Sequence, residues 1–263
     1  MFFKKRRRKK LADQPFPAEW LAILEKNVSL YQRLPAADRE ELKRHMLVFL
    51  GEKRFEGCGG LEITDEIRVT IAAHACVLLL HRQTDFYPGL TTILVYPDAF
   101  VTPDVHHMVG DMVVEGDEVR LGESWHQGSV ILSWADVQED AEAQDGQNVA
   151  LHEFAHQLDS SGGRGDSTPV LQDQETFEAW AKALGRDYER FRRAVQDRWP
   201  EVLDEYGATD PAEFFAVATE CFFETPVDLR RAYPRLYQEL KHFYQQDPAA
   251  LDSGQERAAD SGS

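Results

Sequence analysis

Cysteine is scarce in this chain. Its 263 residues hold three, Cys58, Cys76 and Cys221. The odd number and the absence of any Cys-x-x-Cys pair fit buried free thiols in a reducing cytoplasm better than a disulfide scaffold or a zinc knuckle. No apolar run reaches 18 residues, so the sequence offers no membrane span. The basic run at residues 4–10 is followed by Leu-Ala-Asp-Gln-Pro-Phe-Pro rather than an apolar stretch, so it is not the start of a signal peptide. Gly57, Gly59 and Gly60 form no phosphate loop, because no Gly-Lys-Ser/Thr follows them. Positive charge is also confined. The net charge is −17, although residues 4–10 contribute seven positive charges, which leaves −24 on the rest. So acidic a body argues against direct nucleic-acid binding through a broad surface. The basic run reads as a disordered, solvated tail, with weak contact to anionic lipid or RNA as the minor alternative.

What is present supports a real core: 43% hydrophobic residues, with 15 Phe and 5 Trp. Apolar periodicity predicts helices over 17–34, broken by Pro35, and over 37–50. Residues 53–62 read as a short strand running into a glycine turn. Thr64-Asp65-Glu66 starts a strongly apolar helix to about Arg82, expected to be the central buried helix beside the site described next. His74 and His81 lie on it and read as core or edge histidines. Strands are expected at Leu90–Tyr96 and Ser129–Trp134, with a hairpin over 112–121 around Gly116-Asp117. The adjacent pair His106-His107 points apart in extended chain and chelates poorly. Ala135–Ala143 is a short helix or loop. Further helices are expected over 172–184, 186–199, 211–224 and 233–246.

The stretch from Val149 to Asp159 organises the rest. It contains His152-Glu153-x-x-His156. On a helix, His152 and His156 stand one turn apart on one face and grip one metal ion, while Glu153 lies about 100° around and reaches a metal-bound water without displacing a ligand. Two His ligands, a carboxylate base and an open position are what a zinc peptidase needs. Val149, Ala150, Leu151, Phe154, Ala155 and Leu158 make the helix apolar, and burying two His and a Glu is costly unless they are paired or metal-bound. Asp145-Gly146-Gln147-Asn148 supplies a turn and cap before it. Asp159 either orients His156 or bonds the following loop.

Catalytic zinc takes three protein ligands, and the segment Tyr206–Glu220 is the best source of the third. Glu213 heads an aromatic helix. With Asp210 as N-cap and Pro211 at the first helical position, Glu213 also completes a capping box, so pattern alone leaves ligand and cap balanced. Glu220, seven residues on, is either a rival ligand or a hydrogen-bond acceptor for a ligand His. Tyr206 alone reads as a half-buried loop tyrosine.

His-Glu-Phe-Ala-His-Gln-Leu-Asp, the upstream Gly-Glu-Ser-Trp-His-Gln-Gly-Ser-Val-Ile-Leu-Ser-Trp and the downstream Ala-Thr-Asp-Pro-Ala-Glu-Phe-Phe-Ala-Val together resemble the Mlc titration factor A (MtfA) family of bacterial zinc peptidases. The resemblance spans roughly residues 15–248. The catalytic part of that family is similar to the protease domain of anthrax lethal factor, with the same Tyr-to-Glu spacing that stands here as Tyr206 and Glu213. The resemblance implies His152, His156 and Glu213 as ligands of one Zn2+ per chain, Glu153 as general base, and Tyr206 as a stabiliser of the oxyanion. It implies aminopeptidase-type cleavage of peptide or protein substrates, and binding of a transcriptional repressor of the Mlc type that controls sugar uptake. The expected fold is α+β: a zincin-like metallopeptidase domain, with a small mixed sheet and an active-site helix, plus N-terminal helices. The expected division is a basic tail over 1–14, a helical region over 15–62 packed on the core, the catalytic domain over 63–248 and a disordered acidic tail over 249–263.

Overall fold

A computed structural model describes residues 2–83, 85–98, 128–143, 145–160 and 174–251. The expected hairpin over 112–121, the pair His106-His107 and the C-terminal tail beyond residue 251 lie outside the described residues.

The chain opens with helices α1 (Phe2–Ala12), α2 (Ala18–Asn27), α3 (Ser29–Arg33) and α4 (Ala36–Glu52), followed by strand β1 (Arg54–Gly57). The expected basic tail is thus a helix. Side chains of α1 reach acidic groups far along the chain, Glu52 and Asp85, and pairing replaces the repulsion that would keep the run extended. The helix expected over 17–34 is divided at Val28, whose φ of −127° and ψ of 88° leave the helical region.

Helix α5 (Asp65–Val77) connects β1 to β2 (Thr92–Tyr96). Its start follows the expected chemistry, since the Thr64 hydroxyl accepts from the Ile67 amide at 3.3 Å. All its residues from Val69 to Val77 are buried, as is Ile67, so α5 is the central helix. His74 is a core histidine: its Nδ1 sits 3.0 Å from the Thr70 carbonyl, and burial pulls its pKa down to about 4. His81 instead lies at the edge, 3.3 Å from both Asp38 and Glu41.

Strand β3 (Ser129–Ser133) completes a three-stranded sheet in the order β1-β2-β3. Both pairings are parallel, with Phe55 opposite Ile93 and Ile93 opposite Val130. Among the described residues the sheet is therefore parallel rather than mixed. A parallel pair needs a crossover, and α5 supplies the first. Helices α6 (Trp134–Ala143) and α7 (Val149–Ser160) follow, and α7 packs against α5, β3 and the later helix α9.

The two helices expected over 172–199 are one, α8 (Gln174–Gln196). Gly185 interrupts the pattern without ending the helix. A helical glycine costs about 1 kcal/mol, and the buried Leu184, Tyr188 and Phe191 on one face offset it. A 3₁₀ turn (Glu205–Ala208) leads to α9 (Pro211–Glu224), which spans the expected range. The last expected helix, over 233–246, is α11 (Pro234–Tyr244); a short helix not expected from the sequence, α10 (Pro226–Ala232), precedes it, and Pro234, which cannot continue α10, starts α11.

Of the glycines after β1, Gly59 and Gly60 take positive φ, 60° and 85°. Gly57 serves a different need. A Cβ there would stand 1.8 Å from the Leu61 carbonyl oxygen, a backbone atom that cannot swing aside. Gly57→Ala is expected to destabilise the fold by about 2 kcal/mol or more, as urea denaturation will show; a change within about 0.5 kcal/mol would mean that the turn relaxes freely.

Candidate metal centre

Helices α7 and α9 lie antiparallel, and polar side chains pair along their seam. On α9, Glu213, Glu220 and Glu224 are separated by seven and four residues, which places them within about 40° of one another on the helix. On α7 and its cap, Asn148, His152 and His156 recur every fourth residue. The Asn148 amide side chain donates to Glu224 at 3.0 Å. His152 Nδ1 sits 2.7 Å from Glu220 Oε1. Glu213 Oε2 lies 3.0 Å from His152 Nε2 and 3.3 Å from His156 Nε2. The order reverses along the two helices, as an antiparallel pair requires.

Local chemistry builds each side. Asn148 caps α7, its side-chain oxygen accepting from the Leu151 amide at 3.0 Å, and its own amide donates to Glu220 Oε2 at 2.6 Å. Glu220 therefore holds both the start of α7 and the ring of His152. Asp140 on α6 accepts from the Val149 amide at 2.7 Å, tying down a second donor of the same helix end. On α9, Asp210 accepts from the amides of Ala212 and Glu213 at 2.7 and 3.1 Å, so the N-cap is made. The Glu213 side chain nonetheless reaches the histidines and is only 3% exposed. Asp210 makes the cap, which leaves the Glu213 carboxylate to face the two histidines.

The three inward atoms form a near-equilateral triangle. His152 Nε2 and His156 Nε2 are 3.1 Å apart, and each faces the same Glu213 oxygen. One proton shared among them cannot satisfy three lone pairs, whereas one cation can. Tetrahedral ligands at about 2.1 Å from zinc stand about 3.4 Å from one another, close to the spacing observed. The donor set of two imidazoles and a carboxylate suits zinc and leaves a fourth position for a small ligand. His152, His156 and Glu213 thus fit a metal ion, and no other such grouping occurs among the described residues.

Electrostatics agree. Burial opposes a charge on His152, but Glu213 and Glu220 outweigh it and hold the imidazolium well above its usual range. A site that draws a proton so strongly also draws a cation. Glu220 contacts His152 through Nδ1, the side away from the triangle, so it is not a third ligand. It fixes the tautomer that leaves the Nε2 lone pair pointing inward.

Glu153, one position after His152 on α7, is half-buried, and its charge contributes to the field on that imidazole. The Tyr206 ring, on the 3₁₀ turn, lies 6.1 Å from the His152 ring. Of the five expected site residues, His152, His156 and Glu213 converge, the Tyr206 ring lies beside His152, and Glu153 adjoins it along α7. Glu224, Asp140 and the second role of Asn148 were missed. The Glu spacing on α9 was the available signal, and it becomes meaningful only when α9 is set against α7.

This donor set can hold a metal ion, and comparison with known proteins supplies the class, a metallopeptidase. The profile of the family described as Glucose-regulated metallo-peptidase M90 matches residues 2–245. The chain belongs to that family. An uncharacterized protein of Synechocystis is 41% identical over 244 residues, 92% of this chain and 89% of the relative. Mlc titration factor A of Klebsiella pneumoniae is 33% identical over 230 residues, 85% of this chain and 84% of its own. Mlc titration factor A of Cronobacter sakazakii is 33% identical over 235 residues, covering 88% and 87%.

Two predictions concern this ladder. Glu220→Gln should leave the fold intact but weaken zinc binding about 10- to 100-fold, measured by competition with a chromophoric chelator; unchanged affinity would remove Glu220 from its role. The second concerns pH. Burial, aided by Glu220, pushes the Asp140 carboxyl up to about 7. An unfolded Asp ionises near 4, so between about pH 4 and 7 the folded chain binds the extra proton, and stability falls as pH rises through that window. Asp140→Asn keeps an acceptor for Val149 and removes the penalty. Its advantage over the wild type in urea denaturation should grow between pH 5 and pH 8, by an amount on the order of 1–3 kcal/mol. A constant difference would show that Asp140 stays ionised.

Proposed function

We propose that the chain hydrolyses peptide bonds at a single zinc ion held by His152, His156 and Glu213. The observation that carries this reading is the convergence of those three donors within 3.0–3.3 Å on a buried seam. When bound, zinc supplies Lewis acidity, which makes a coordinated water acidic near neutral pH and polarises the carbonyl to be attacked. The protein's own residues do the rest. Glu153 accepts the proton of the attacking water and returns it to the leaving amine. Tyr206 donates its phenol to the carbonyl oxygen as charge builds there. Glu220 and Asn148 keep His152 aligned throughout. Strand β3, next to α7, gives an extended substrate a backbone to pair with. By family resemblance the mode is aminopeptidase-like. The three thiols, two of them buried and none in a disulfide, fit a cytoplasmic setting, and no helix among the described residues is long and apolar enough to cross a membrane.

A second activity is favoured by the relatives named Mlc titration factor A. The name describes a protein that titrates Mlc, and the same role here is binding of a repressor of that type. This role needs a surface and no hydrolysis, so the two readings separate by mutation.

The test uses unblocked and N-acetylated peptide libraries with zinc-loaded protein. Wild type should cleave the unblocked peptides, and Glu153→Gln, with equal zinc content, should cleave them at least about 100-fold more slowly. Repressor binding should survive the substitution. Cleavage by the variant at the wild-type rate would remove Glu153 as the base, and absence of cleavage by zinc-loaded wild type would leave repressor binding as the function.

A further inference from the structure

Helix α1 carries Lys4, Lys5, Arg6, Arg7, Arg8, Lys9 and Lys10 in unbroken succession, yet its two faces behave differently. At 100° per residue, Arg7, Leu11, Lys4 and Arg8 fall within an arc of about 100°. These are the residues that dock the helix. Lys4 donates to Asp85 at 3.0 Å and Arg7 to the Gly51 carbonyl at 3.1 Å. Arg8 spans both carboxylate oxygens of Glu52 at 2.9 and 2.7 Å and also pairs with Asp85. Leu11 lies against Gly51, where an added Cβ would approach its side chain to 2.8 Å. The docking is bidentate and partly buried at Arg8, so it fixes the helix rather than merely decorating it.

The opposite arc, about 160° wide, holds Lys5, Arg6, Lys9 and Lys10, with Phe3 at its border beside Lys4 and Arg7. All are exposed, and Phe3 is 90% exposed. None of the four cations has an acidic partner among the described residues. The face therefore presents four positive charges and a bare aromatic ring on a chain of net charge −17, which leaves −21 on the rest. Its occupant must supply negative charge spread over a plane and an apolar layer to receive Phe3. A nucleic-acid duplex supplies the first and leaves the ring in water. The interface of an anionic phospholipid bilayer supplies both: headgroups for the cations and the acyl boundary for the ring. The acidic body is repelled by the same surface, which leaves this face as the one able to approach it.

We propose that the outward face of α1 is a docking surface for anionic phospholipid membranes, which would place the peptidase peripherally on a bilayer. This site is separate from the metal centre and does not depend on hydrolysis. The experiment is co-sedimentation of the full-length protein with vesicles of equal phosphatidylglycerol and phosphatidylcholine, beside vesicles of phosphatidylcholine alone. Binding to the anionic vesicles should be at least about tenfold tighter and should weaken with salt. The variant K5Q/R6Q/K9Q/K10Q, altered at exposed positions only, should lose at least about tenfold. Phe3→Ser should lose a few-fold, and that loss should persist at high salt because it is apolar. If the fourfold variant is less stable to heat than wild type, K9Q/K10Q serves in its place with a smaller loss expected. Equal binding to both vesicle types, or to neither, overturns the proposal. So does displacement by double-stranded RNA at equal phosphate together with no effect of Phe3→Ser, which would make the face a general polyanion patch.

Discussion

The structure depends on a line of charge buried between two apolar helices. Glu213, Glu220 and Glu224 are all less than 9% exposed and share one face of α9. Three carboxylates in such surroundings are prohibitively costly alone. They are tolerated because α7 meets them with Asn148, His152 and His156, each in register. The pairing sets how α7 and α9 lie against each other, and hence where the donors point. Phe154, against Phe49 and Tyr87, and Phe214, against Tyr188 and Phe191 of α8, bind the pair into the core. The surrounding apolar packing supplies stability, and the polar seam supplies register.

The arrangement also explains why the second layer of the site is more elaborate than its ligands. A His that ligates through Nε2 needs something at Nδ1. Glu220 does this for His152 and at the same time accepts the amide of Asn148, the cap of the helix His152 stands on. Ring orientation and helix position are thus set by one carboxylate. Burial pushes the Glu224 carboxyl up to about 7, with Glu220 adding to it, so the far end of the seam can hold a proton.

Much of this was legible in the sequence because the signals were local. The His-Glu-x-x-His spacing lies within one turn, and Asp210-Pro211 marks the start of α9 at the position found. The strands at 92–96 and 129–133 are short β-branched and apolar runs. What was not legible depends on distant partners. The basic run of α1 looks like a solvated tail until Glu52 and Asp85, 44 and 77 positions away, are placed beside Arg8. Gly185 looks like a helix end until Leu184, Tyr188 and Phe191 are seen buried around it. The choice between ligand and cap for Glu213 had no answer at the level of pattern, since Asp210 caps the helix while Glu213 faces α7. The resemblance to a known family, carried by three separate motifs, implies the ligand. The parallel pairing of the sheet needs the crossover through α5, which periodicity does not reveal.

The 61 positions between His152 and Glu213 carry a consequence for the birth of the protein. During synthesis, α7 leaves the ribosome well before α9 exists. For that interval the two histidines lack their carboxylate, and His152 lacks the acceptor that aims its ring. Closing the triangle of donors is therefore a late event, possible only once α9 has followed α8 and the turn at Tyr206 out of the ribosome.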